Sequence, residues 1–168
     1  MTNPSNTEQK TYKDIEKEGG FFDFDATHGV THVVVDVGPE AGRTERILKV
    51  FRVVADAGVP VFLAKLHGSE VSFAMNKEHL TTAAHALAAS GFSYRSRQDL
   101  AVVTIRTDTL QDLTGVMVRI ADALQLAGAR MYGVGDSHSS VQCLIDGHRV
   151  QAALEQLRAA FAREVGHA

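Results

Sequence analysis

Two segments carry the residue types that can hold a small charged molecule. They are "DVGPEAGR" (36–43) and "TDTLQDLTGV" (107–116), and each joins a β-rich run to a helical one. The first N–H groups of a helix lack intrahelical partners and carry positive partial charge, so they can receive a carboxylate. A side-chain carboxylate nearby then pairs with an ammonium group, and Asp36, Asp108 and Asp112 are placed for that task. Gly38, Gly42 and Gly115 allow close backbone approach. Pro39, Arg43, Leu113, Thr114 and Val116, with His67, complete the candidate ligand-binding set. The same residue types also turn chains and cap helices without binding anything.

Other constellations carry less. "GPEAGRT" (38–44) resembles a phosphate-binding P-loop, but it is one residue short between its glycines. Arg43 stands where the lysine belongs, and Glu40 would repel phosphate. Asp136, Ser137 and His138 in "GVGDSHSS" are adjacent, so in an extended run they point to alternate faces and cannot converge as a triad. A polar turn between two strands is the preferred reading there. The chain has eight histidines, of which His28, His32, His67, His138 and His148 fall near expected strand ends and loops. None has HExxH or Cys/His ligand spacing, so no metal site is assigned. No pair stands out as general acid and base, so we expect no catalytic residues and no cofactor.

Composition sets the class. Of 168 residues, 45% are apolar and 22% charged, which suits an ordinary globular protein with a sizeable core. The net charge of −3 and the lack of a basic run give no footprint for nucleic acid. The single cysteine, Cys143, lies in the apolar run "SVQCLI" and reads as a buried thiol in a reducing cytoplasm. No apolar window is long enough to span a membrane. Residues 1–19 are polar and of mixed charge, and read as a disordered arm with a short helix over 12–17.

An internal repeat organises the rest. Shifted by 70 positions, the apolar pattern falls on itself without a gap. Ile47, Val50 and Val54 meet Met117, Ile120 and Leu124; "EVSFAM" (70–75) meets "SVQCLI" (140–145); Leu80, Ala83 and Leu87 meet Val150, Ala153 and Leu157. Each half, 20–89 and 90–159, reads as strand, strand, helix, strand, strand, helix. The first helix of each half repeats apolar residues at i, i+3, i+4 and i+7 and stops at an Ala-Gly pair (57–58 and 127–128). Strands are expected at 31–37, 59–66 and 71–75, and at 100–105, 130–134 and 141–145.

That order is a shifted βαββαβ unit of the ferredoxin-like kind. The first unit can take its fourth strand from "GFSYRS" (91–96). The second has none after its last helix, whereas "GFFDFD" (20–25) is left over and equivalent by the repeat. We therefore expect an α+β protein of two ferredoxin-like units, intertwined by exchange of the N-terminal strand: 27–97 for one, 20–26 with 98–163 for the other.

The segment "LAVVTIRTDTLQDLTGVMVRIADALQLAGARMYGVGDSHSSVQCLIDGHRVQAALEQLRAAF" resembles the second ACT domain of aspartokinases, and "ILKVFRVVADAGVPV" resembles their first. The resemblance spans about residues 20–161. It implies a regulatory amino-acid sensor that works as a dimer, with one ACT domain nested in the other and without the kinase domain. Where the family carries an "STSE"-like run this chain has "GDSH" (135–138). Pro60, Arg130, Asp112 and Thr114-Gly115 also depart from the family pattern near its effector sites. The expectation is a stand-alone ACT protein that binds a small molecule, an amino acid foremost, as a homodimer. Alternatives are the regulatory subunit of a separately encoded aspartokinase, a ligandless dimerisation module and a metal-responsive sensor.

Overall fold

The computed structural model describes residues 22–108 and 112–162. The expected arm at 1–19, its helix at 12–17 and residues 109–111 of the second loop lie outside them. The described residues form an α+β fold of six antiparallel strands and four helices. In chain order these are β1 (Phe22–Asp36), α1 (Arg43–Asp56), β2 (Phe62–His67), β3 (Glu70–Asn76), α2 (Leu80–Ala89), β4 (Tyr94–Thr107), α3 (Leu113–Leu126), β5 (Met131–Asp136), β6 (Ser140–Asp146) and α4 (Val150–Ala162). Short 3₁₀ turns, Lys77–His79 and Gly147–Arg149, precede α2 and α4.

The Ala-Gly stops behave as the sequence predicts. Gly58 and Gly128 take left-handed φ of 71° and 64°. The next amides, Val59 N–H and Ala129 N–H, donate back to Val54 and Leu124 carbonyls at 3.0 Å each and close the helices.

Strand number differs from the sequence expectation. The runs at 20–25 and 31–37 form one strand, β1, from residue 22 on, and the runs at 91–96 and 100–105 form one strand, β4. A change of side-chain parity explains how one strand serves two cores. Phe22, Phe24 and Ala26 pack on the core of the second half, whereas Val33 and Val35 belong to that of the first. Side chains alternate with period two, so even-to-odd switching needs one extra residue. The register shifts between residues 27 and 32 supply it, with Gly29 at φ 68°. In β4 the equivalent position is Asp99, at φ 58°. Gly147 leaves room for that bend, since a Cβ there would lie 2.6 Å from the Asp99 carbonyl oxygen.

The sheet order is β2-β3-β1-β4-β6-β5. Within it, residues 22–27 of β1 pair with 102–107 of β4, and 32–35 pair with 94–97. Helices cover one face in two cores. Val50, Val54, Phe73, Met75, Ala83 and Leu87 lie in the first, and Ile120, Leu124, Cys143, Ile145, Leu157 and Phe161 in the second. Each such buried large side chain contributes about 1.5–3 kcal/mol. A third, smaller cluster of Val30, Ala74, Leu100, Val102 and Leu144 fills the helix-free face, with Phe62, Leu63 and Tyr132 over it.

Candidate functional site

Antiparallel β1 and β4 deliver the two strand-to-helix loops to opposite ends of the sheet. Asp36 ends β1 beside residues 93–94, whereas Thr107 ends β4 beside Phe22. At about 3.3 Å per residue, a straight 15-residue strand would span about 46 Å, the upper bound for the bent β1. The chain therefore brings the candidate residues together as two groups rather than one.

The first group is Asp36, Gly38, Pro39, Gly42, Arg43 and, on the neighbouring hairpin, His67. Asp36 is exposed, and its Oδ1 accepts from Gly38 N–H at 2.8 Å, which turns the chain out of the strand. Val37 N–H donates to Ser69 O at 2.8 Å, which ties the loop to the β2–β3 turn. Gly38 and Gly42 both take left-handed φ, 70° and 72°. Gly42 precedes α1 and offers no side chain to cap it, so the first turn of α1 has no side-chain cap. Arg43 is partly buried, with its Nε shielded from solvent and Nη1 3.8 Å from Glu40. His67 is exposed at the end of β2, opposite Glu70 of β3, the partner of Asp36 in register.

Sequence reasoning missed Arg46. Its Nε donates to Val37 O and its Nη2 to Pro39 O, so the guanidinium lies inside the loop and holds its carbonyls inward. The signal was present: the repeat sets apolar Val116 opposite Arg46, and a charge where the other half has an apolar residue marks a local task. Arg95, also missed, donates to both carboxylate oxygens of Glu70 at 2.6 and 3.1 Å. That hydrogen bonding holds the Glu70 carboxyl below its ordinary range. Closer to the centre of the sheet, burial and then the charges of Arg95 and Arg97 push the His32 pKa down.

The second group is built differently. The Asp112 side chain caps α3, accepting from Gly115 N–H at 3.1 Å. The carboxylate thus occupies the position where a ligand carboxylate would meet the helix start. Asp108, Leu113 and Thr114 are exposed, and Val116 packs at the margin of the core. Of the two loops, the first leaves its helix start without a side-chain cap, with Arg43 N–H donating to Glu40 O at 3.1 Å, and the second caps its own with Asp112.

The remaining motifs fall in loops and strand ends. The run after Asp136 is a turn in which Ser137 and Ser140 hydroxyls hydrogen-bond at 2.8 Å. His28, His138 and His148 are exposed. Among the described residues no three His, Cys, Asp or Glu side chains are grouped so as to hold a metal ion. No described helix is long and apolar enough to cross a membrane.

The architecture defined here, a six-stranded antiparallel sheet with four helices on one face, is similar to that of solved aspartokinase regulatory regions. The regulatory subunit of aspartate kinase from Thermus thermophilus, in ligand-free form, matches with a TM-score of 0.73 at 20% identity, over 84% of this chain and 95% of that one. The corresponding subunit from Thermus flavus matches with a TM-score of 0.72 at 21% identity, over 82% and 96%. Aspartokinase III of E. coli, in complex with lysine and aspartate, matches with a TM-score of 0.63 at 17% identity, over 82% of this chain and 32% of that one. No protein-family model matches the sequence, and no curated protein matches it.

Proposed function

We propose that this chain is a regulatory ACT-type protein that binds a small molecule, an amino acid foremost, and performs no chemistry of its own. The observation that carries the reading is the first loop. The loop begins at the exposed Asp36 carboxylate, ends at a helix start without a side-chain cap, and is held in shape by Arg46. The α1 amides suit a ligand carboxylate and Asp36 suits its ammonium group. The likeness in fold to regulatory subunits supports the reading, as does the lysine and aspartate complex of the E. coli enzyme.

On this reading two ferredoxin-like units, 27–97 and 20–26 with 98–163, exchange the N-terminal strand. The pairing of residues 22–27 with 102–107 supports that exchange. A homodimer in the cytoplasm is the working form. Leu66 on edge strand β2 and Leu48 on α1 are 57% and 54% exposed, which suits burial against a second copy. The same surfaces suit docking on a kinase chain. Sedimentation of the purified chain distinguishes dimer from monomer.

Titration with each of the twenty amino acids, by calorimetry and thermal shift, tests the function. A ligand that binds the folded state raises Tm in proportion to ln(1 + [L]/Kd). One amino acid should do so saturably, and Asp36→Ala should abolish the shift while Asp108→Ala leaves it. Absence of any shift across the set would overturn the sensor.

A further inference from the structure

The outer strands β2 and β5 stand at opposite edges of the sheet, yet they meet across its helix-free face. Leu63 on β2 reaches Gly135 on β5 so closely that a Cβ on Gly135 would lie 2.6 Å from Leu63 Cδ2. Leu63 holds a left-handed φ of 51°, at the register irregularity between Phe62 and Lys65. A branched-chain residue avoids that region unless its surroundings impose it. The repeat makes the contact one-sided, because the position equivalent to Leu63 in the second half is Gly133. On the β5 side, Tyr132 also meets residues of β4 and β6. The Arg97 guanidinium carbon lies 4.8 Å from the Tyr132 ring centroid, and Tyr132 donates to Asp146 at 2.7 Å.

Each edge strand also leads to one of the two loops. β2 runs into the turn whose Ser69 O accepts from Val37 N–H at 2.8 Å, at the base of the first loop. β5 runs into the turn whose Ser139 O accepts from Thr107 N–H at 2.9 Å, at the base of the second. These two bonds are equivalent by the repeat.

We propose that Leu63 and Gly135 form a latch that makes β2 and β5 open and close together, so that the two distant loops share one conformational equilibrium. Seating Leu63 on Gly135 holds both edge strands down on the third cluster; releasing it frees both hairpins and, through Ser69 and Ser139, both loop bases. The regulatory meaning of the latch rests on the ligand reading above, whereas its existence does not.

Amide hydrogen exchange on the full, unliganded chain tests it, with Leu63→Ala, Gly135→Ala and the double variant. Alanine at 135 displaces the Leu63 side chain, and alanine at 63 removes it, so either change releases the same contact. Each single variant should speed exchange about tenfold in both 62–67 and 131–136 and at the Val37 and Thr107 amides, with α2 and α4 unchanged. The double variant should exchange no faster than either single one. Faster exchange confined to the substituted strand, a uniform rise across all elements, or additive effects in the double variant would each overturn the latch. No ligand enters the measurement, so it stands apart from the amino-acid titration.

Discussion

Phe22 and Phe161, at opposite ends of the described chain, lie with ring centroids 4.5 Å apart. Phe24 joins them at 5.7 Å from Phe161, and Arg119 sits over the same ring at 4.0 Å. The start of β1 is thereby fastened to the end of α4, in the core of the half to which it does not belong in sequence.

That contact makes the first strand a structural part of the second half. Phe161→Ala should lower stability by about 3 kcal/mol, the cost of emptying a buried aromatic site. Denaturant unfolding measures it. Deletion of residues 1–26 should leave the second half without its edge partner and prone to associate, as size-exclusion chromatography would show; a folded monomer would contradict the strand assignment.

The two loops should respond differently to loss of their aspartates. Asp112→Ala removes the cap on α3 and should cost about 1 kcal/mol of stability, whereas Asp112→Asn should cost much less. Thermal unfolding of the two variants decides between a cap and a ligand-only role, since the latter would leave unliganded stability unchanged in both.

Acid should reach the protein through His32. Burial and two arginines lower its folded pKa below the ordinary 6.5, so the unfolded chain takes up the proton first. Stability is therefore full above pH 6.5 and falls as pH drops below it, until the folded group also protonates. His32→Gln should flatten the stability profile just below pH 6.5. The Glu70 carboxyl, held low by Arg95, gives its stabilisation above the ordinary carboxylate range and loses it at lower pH, outside that window.

Cys143 should be inert in the native state. Burial pushes its thiol up to about 12, and it lies fully inside the second core. Alkylation at pH 8 should run slower than for a free thiol by about three orders of magnitude, and should recover on unfolding. Mass spectrometry of iodoacetamide-treated protein with and without denaturant checks both.

Much of this architecture follows from local pattern. The helix stripes around Val50 and Ile120, the stops at Gly58 and Gly128 and the inward positions of β3 and β6 all obey periods of 3.6 or 2, set by neighbours a few residues away. The 70-residue repeat carried that pattern to both halves, and the two strand-to-helix loops followed from it. Tertiary structure decided what lies far apart in sequence. Runs that read as separate strands joined through the bends at Gly29 and Asp99, because one strand can serve two cores only by changing parity midway. Arg46 turned into the first loop while Asp112 turned onto its own helix, so two loops alike in sequence logic differ in whether a side chain caps the helix that follows. Leu63 met Gly135 because the sheet brings its edges together across the face without helices. Such choices depend on which distant atoms fill a space, and no period along the chain encodes that.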